Sequence, residues 1–110
     1  MTNVQIYRAL RAQFRAIDEN VDTLAKRCET FAQSKQLVEE WMQAQRNYLE
    51  ARNRIFDTSS KRVTELYDQL GEAQDDIERA LTTLKRIARV LDKIGDAVRI
   101  GTSLVTLGKV

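Results

Sequence analysis

Apolar residues recur every seven positions along almost the whole chain. Of the fifteen residues whose numbers are multiples of seven, fourteen are apolar and the exception is Lys35, although the apolar share of the chain is only 43%. A second apolar series lies three positions further on: Leu10, Ile17, Leu24, Phe31, Val38, Leu66, Ala73, Ala80, Ile87 and Ile94. Such a repeat is typical of α-helices that pack along one continuous seam. We therefore predict an all-α, coiled-coil-like fold.

The composition agrees with long helices. The chain has 110 residues, no proline and only four glycines. Proline and glycine weaken a helix interior more than any other residues, so their scarcity favours uninterrupted helices. A chain of this length fits one domain, and we predict a single helical domain over residues 1–110.

The clearest turn candidate is Asp57–Ser60, where four short polar side chains in a row compete with the helix for backbone hydrogen bonds. This turn divides the chain into a helix over about 4–57, a helix over about 61–98 and an apolar, glycine-containing tail over 99–110. Folding back at the turn aligns many opposite charges across the two arms. The sequence therefore predicts a long antiparallel helical hairpin.

A three-helix bundle is the alternative architecture. It requires one break near Ser34, where polar residues interrupt the apolar pattern, and another near Gly71. Acidic residues follow Gly71 and suit the first turn of a new helix. Glycine inside a continuous helix costs only about 1 kcal/mol relative to alanine, so the hairpin tolerates it.

Several large apolar residues lie beside the seam rather than on it. Two helices alone bury too little apolar area to make a long thin hairpin stable, so this widened apolar face predicts a second packing surface. We expect a homodimer that forms a four-helix bundle, or pairing with a related helical chain. Tryptophan and tyrosine commonly anchor such interfaces. The candidate interface residues are Trp41, Tyr48, Ile55, Tyr67 and Leu81.

The end of the sequence carries no charge from Ile100 to Gly108. One interpretation is that this segment packs inside the bundle, with small residues where another helix approaches closely. The other is a tail that docks on a membrane or a partner, although it is too short to span a bilayer. The candidate docking residues are Ala97, Gly101, Leu104 and Gly108.

Catalytic chemistry has little support in this sequence. The chain has no histidine and a single cysteine, Cys28, which leaves neither an internal disulfide nor a zinc ligand set. It contains no glycine-rich phosphate loop and no nucleophile motif. We expect no enzyme activity, no cofactor, no bound metal and no small-molecule substrate.

The charges are numerous but nearly balanced, with a formal net charge of +2. This balance gives no support for nucleic-acid binding. The acidic run over 65–78 is interpreted as a solvated helix face. A basic ridge of Lys85, Arg86, Arg89 and Lys93 is interpreted in the same way, the second interpretation being contact with phosphates or an anionic membrane surface.

Two functions stay open on these grounds. The first is a non-enzymatic assembly module that self-associates or pairs with another helical chain. The second is a membrane-acting or secreted helical effector that uses its uncharged tail. We expect a cytoplasmic location by default, with secretion by a route that needs no cleavable signal peptide as the other possibility.

Overall fold

The computed structural model describes residues 1–83 and 86–107. Within these residues 84% of the chain is α-helical and no strand is present, which confirms the predicted all-α class. Five helices follow one another along the described chain: α1 (Asn3–Asp18), α2 (Val21–Arg27), α3 (Phe31–Ala51), α4 (Lys61–Thr83) and α5 (Ile87–Leu107).

Four of these helices pack side by side in a ring. α1 contacts α3, α3 contacts α5, α5 contacts α4, and α4 contacts α1, while the short α2 packs mainly on α3. The described part of the chain measures 43 × 21 × 19 Å. Since a helix of 23 residues is about 34 Å long, the bundle is little longer than its longest helix, α4.

The predicted helix over 4–57 is wrong, because this part of the chain forms α1, α2 and α3. The first break follows Asp18. There the side-chain amide of Asn20 donates a hydrogen bond to the carbonyl oxygen of Ala16 over 2.7 Å. A short polar side chain bonded in this way satisfies a carbonyl that the ending helix leaves free. This hydrogen bond therefore stabilises the end of α1.

The second break lies at Cys28–Thr30 and has a clear capping geometry. Thr30 has an extended backbone, and its hydroxyl oxygen accepts a hydrogen bond from the N–H of Gln33 over 3.1 Å. The Gln33 side chain in turn accepts one from the N–H of Glu29 over 2.7 Å. Both bonds stabilise the start of the helix, the first as an N-cap and the second at the residue before the cap. α3 therefore begins at this point, before the break near Ser34 that the three-helix alternative requires.

The connection between α3 and α4 is longer than a tight turn and is fastened to the bundle. α3 already ends at Ala51. Phe56 is buried in the core, and its N–H donates a hydrogen bond to Asn3 Oδ1 over 2.6 Å. In the turn that follows, the Asp57 carboxylate accepts hydrogen bonds from the Ser59 N–H over 3.0 Å and from its hydroxyl over 2.6 Å. These polar side chains fix the path of the chain into α4.

The predicted bounds of the second half are wrong as well. α4 ends at Thr83, and α5 continues as a helix through most of the segment predicted as a tail. Gly71 lies inside α4, and a Cβ added to it would meet no atom within 4 Å. Glycine is tolerated there on an open helix face, so the alternative break near Gly71 does not occur.

The long two-helix hairpin is therefore replaced by shorter helices that pack within one chain. Each hairpin arm of about fifty residues would be about 75 Å long. Shorter helices let one chain bury several of its apolar faces against each other without a partner. Pairing of two chains is no longer needed to form four packed helices.

The core consists of two apolar clusters. The upper cluster lies toward α2 and the α4–α5 connection, and the lower cluster lies toward the connection from α3 to α4. The upper cluster contains Ile17, Leu24, Leu37, Ala44, Ile77, Ile87, Val90, Leu91, Ile94, Ala97 and Val98. The lower cluster contains Ile6, Leu10, Ala51, Phe56, Val63, Leu66, Leu70, Leu104 and Val105.

Candidate functional site

The outer face of α3 carries a line of exposed apolar side chains. Phe31 is 84% exposed, Val38 45% and Met42 48%. Spacings of seven and four residues place them along one line of an α-helix, and the partly buried Leu49 continues it. We call these four residues the outer stripe. Lys35 lies on the same face and pairs with Glu39 at 3.9 Å.

The rest of α3 is occupied by contacts inside the bundle. Leu37, Ala44 and Ala51 point into the core and are buried. Trp41 and Tyr48 lie against α1. α3 is therefore apolar on three sides, and on the side that carries the outer stripe Phe31, Val38 and Met42 remain exposed.

Two of the predicted interface residues join α1 to α3. The indole N–H of Trp41 donates a hydrogen bond to Asp18 Oδ1 over 3.1 Å. The Tyr48 ring lies edge-on to Tyr7 with ring centroids 6.2 Å apart, and 5.0 Å from the centroid of Phe14. These aromatic contacts lie within one chain, so they fasten two neighbouring helices of the bundle.

The other three predicted interface residues are scattered. Tyr67 packs half-buried on the lower cluster, and Leu81 packs half-buried on the upper cluster. Ile55 lies in the connection after α3 and is 82% exposed. The structure therefore does not bring the five residues together as one surface.

The candidate docking residues of the tail lie in α5. Ala97, Gly101 and Leu104 are buried between the other helices, while Gly108 lies outside the described residues. A Cβ on Gly101 would lie 3.0 Å from Leu10 Cδ2. Glycine is needed there because α1 and α5 approach each other closely.

A polar layer separates the two apolar clusters. Gln13 and Asn47 are both buried. The Gln13 amide donates a hydrogen bond to the carbonyl oxygen of Ala97 over 2.8 Å, and the Asn47 amide donates one to Thr102 Oγ1 over 3.0 Å. Gln43 donates to Asn47 Oδ1 over 2.9 Å. Only Gln13 Oε1 in this layer has no hydrogen-bond partner among the described residues.

One carboxyl group between α3 and α5 is electrostatically perturbed. Glu40 lines a groove of about 450 Å³ together with Arg46 and Arg99. Burial raises the pKa of the Glu40 carboxyl, Arg99 lowers it in part, and the neighbouring Glu39 raises it.

Cys28 has a structural environment. It is half-buried against the upper cluster, and its thiol donates a weak hydrogen bond to the Leu24 carbonyl oxygen over 3.4 Å. Within residues 1–83 and 86–107, no three histidine, cysteine or acidic side chains come together as a metal site. In the same residues, no helix has the length and apolar character to cross a membrane.

Comparison of the chain with protein-family models, curated proteins and solved structures finds no match in any of the three.

The four residues of the outer stripe all follow the heptad repeat of the sequence. The repeat predicts that they pack along the seam, but a heptad pattern alone does not show which of two apolar faces of α3 points inward. α3 carries more apolar residues than one buried face requires, and this excess indicates that two of its faces are apolar enough to pack against other helices.

Proposed function

We propose that this chain is a non-enzymatic helical assembly module that associates with a second copy of itself along the outer stripe of α3. The observation that carries the proposal is the alignment of Phe31, Val38 and Met42, all exposed, on one helix face. Single exposed apolar residues are ordinary on a protein surface. A line of them with coiled-coil spacing is the pattern by which one helix packs on another.

The stripe is complementary to itself when two copies run antiparallel. An alignment whose two-fold axis passes between positions 43 and 44, close to Met42, brings Val38 opposite Leu49 of the second copy. The same alignment brings Glu39 opposite Arg46, so that opposite charges flank the apolar contacts. Because the contact is two-fold, each favourable pair occurs twice.

The two most exposed large apolar residues lie at opposite ends of α3. Phe31 is at the start of α3, and Ile55 lies just beyond its end. In the antiparallel pair, each Phe31 reaches the end of α3 of the other copy, beyond which Ile55 is exposed. Both ends of the proposed interface are therefore apolar. Lys35 lies on the same face, where its alkyl chain adds apolar contact and its ammonium group pairs with Glu39 at 3.9 Å.

The proposal revises the surface that the sequence predicted. Trp41 and Tyr48 pack against α1 within the chain, so the proposed association surface is a different face of α3, about 100° around the helix from Trp41. The assembly becomes a pair of bundles rather than a pair of hairpins. A membrane role for the tail requires α5 to leave the bundle, since Ala97, Gly101 and Leu104 are buried there, and no observation favours that step.

Sedimentation equilibrium over a range of protein concentrations tests the proposal. We expect the wild-type chain to reach twice the monomer mass, and Val38→Lys to weaken the association at least about tenfold, since a buried unpaired charge opposes it. Ala12→Lys is the matched control, because Ala12 is an exposed apolar residue on α1 and gains the same charge. A wild-type chain that stays monomeric, or equal weakening by both variants, would rule out the stripe as the interface.

A further inference from the structure

The end of α4 and the start of α5 enclose a cleft of about 560 Å³. Four cationic residues line it: Arg79, Arg86, Arg89 and Lys93. Asp76 is the single acidic residue among the described residues of its lining. The cleft therefore concentrates positive charge in a chain whose formal net charge is only +2.

Most of this charge is not neutralised within the described part of the chain. Arg79 pairs with Asp76 at 3.3 Å. Arg86, Arg89 and Lys93 form no ion pair with any residue that the structure describes. Arg89 lies three residues after Arg86 and four before Lys93, so like charges repel one another along one face of α5.

The direction of α5 adds to the positive potential. The helix begins at Ile87 and has no acidic residue in its first turn. The free N–H groups and the dipole of a helix make its N-terminus attractive to anions and unfavourable for cations. Arg86 and Arg89 stand at this unfavourable end, so the arrangement gains stability when an anion enters the cleft.

We propose that the cleft binds a phosphate group, carried by a small phosphorylated molecule or by a lipid headgroup. Arginine guanidinium groups pair with phosphate oxygens through two parallel hydrogen bonds, and Lys93 adds a third cation. The volume lies within the range of ordinary ligand pockets, and Val90 and Ala80 supply an apolar wall for the organic part of the ligand. This site is separate from the outer stripe of α3 and does not depend on self-association.

The basic ridge predicted from the sequence forms one wall of this cleft, and α4 forms the other wall. Arg79 of α4 joins Arg86, Arg89 and Lys93, whereas Lys85 lies outside the described residues. A ridge on a single helix contacts a phosphate group from one side only, whereas a cleft between two helices contacts it from two sides.

Titration with inorganic pyrophosphate, followed by calorimetry and by backbone amide chemical shifts, tests the site. We expect shifts concentrated between residues 79 and 93, and affinity at least about tenfold lower in the double variant Arg89→Gln/Lys93→Gln. The control is Arg8→Gln/Arg11→Gln, which removes the same charge from exposed positions on α1. Arg89→Lys keeps the charge but loses the two-bond geometry, and it should give an intermediate affinity.

Vesicles distinguish the two sources of phosphate. Phosphatidylcholine vesicles with and without phosphatidic acid are sedimented with the wild-type chain and with both double variants. Binding to pyrophosphate alone identifies a soluble ligand, and binding to the phosphatidic acid vesicles as well identifies a headgroup, provided that loss of Arg89 and Lys93 abolishes it. Binding in neither arm, or an equal loss in the α1 control, overturns the proposal. Far-ultraviolet circular dichroism verifies that every variant remains helical.

Discussion

Gln13 on α1 donates a hydrogen bond to the carbonyl oxygen of Ala97 on α5 over 2.8 Å, in the middle of the core. The two helices lie on opposite corners of the ring, so this bond crosses the bundle. The small side chains of α5 at this point, Ala97 and Gly101, leave room for it.

Gly101→Ala is expected to destabilise the fold, although alanine is the better helix former. The added Cβ would lie 3.0 Å from Leu10 Cδ2, 3.1 Å from Gln13 Oε1 and 3.3 Å from Asn47 Nδ2. Overpacking of this kind costs about 1–3 kcal/mol, which exceeds the gain of about 1 kcal/mol in helix propensity. Urea unfolding should show a lower free energy of unfolding.

Gly71→Ala is the matched control for this substitution. The Cβ at that position meets no atom within 4 Å, so only the propensity gain remains. We expect a stability increase of about 0.5–1 kcal/mol. Stabilisation by both alanines would show that α1 and α5 do not approach each other as closely as described.

Trp41 and Met42 are neighbours in sequence, but their alanine variants should have different effects. We expect Trp41→Ala to lower the stability of the monomer and Met42→Ala to weaken self-association. Trp41 fastens α3 to α1 through packing and its bond to Asp18, so its loss should lower the free energy of unfolding of the monomer by about 2 kcal/mol. Met42 lies on the exposed outer stripe, and its loss should change that free energy by less than about 0.5 kcal/mol. Thermal melts at low concentration measure both values.

The self-association constants of the same two variants complete the comparison. Met42→Ala should weaken the dimer, and Trp41→Ala should leave the association of the folded chain unchanged. The reverse outcome would place the interface on the side of α3 that faces α1, where the sequence alone had predicted it.

Glu40→Gln should raise stability at neutral pH. Burial raises the pKa of the Glu40 carboxyl above its ordinary value of 4.5, so the folded state binds the proton more readily than the unfolded state. The free energy of unfolding therefore decreases as the pH rises from 4.5 through the folded-state pKa, and stays lower above it. The glutamine variant has no charge to bury and should lack this decrease.

Urea unfolding at a series of pH values on both sides of 4.5 measures the effect. Glu72→Gln, on an exposed position of α4, serves as the control and should keep the wild-type decrease. Asp57 acts in the opposite sense, because hydrogen bonds from Ser59 lower the pKa of its carboxyl. Its contribution to stability is therefore lost as the pH falls through that lowered pKa. Because Asp57 also contributes to the pH dependence, the Glu40 effect is taken as the difference between the wild-type chain and Glu40→Gln.

The heptad pattern predicted the second half of the core better than the first. Val63, Leu70, Ile77, Leu91 and Val98 all follow the sevenfold repeat and are all buried. In the first half the same repeat contains Met42, which is about half exposed. The repeat is unbroken across the α2–α3 junction in sequence, but the chain changes direction there, so residues in phase with the seam no longer face the core.

The change of chain direction between α2 and α3 has a signal in the sequence. Thr30 is followed three residues later by Gln33, which is the spacing of a helix N-terminal capping box. The break at Asn20 has no comparably specific signal, since a single asparagine is common inside helices. The interface assignment of Trp41 and Tyr48 was beyond sequence reasoning, because a hydrophobic period is the same for contacts within one chain and contacts between two chains.

The polar layer of Gln13 and Asn47 limits how the helices can slide along each other. A sevenfold apolar repeat matches itself again after every shift of seven residues, so by pattern alone α5 could pack on α1 in several registers. A shift of one heptad would bring Val90 or Leu104 to the place of Ala97, where a larger side chain would keep the Gln13 amide from its carbonyl acceptor. A buried amide without a partner is costly, so one register is retained and the shifted ones are excluded.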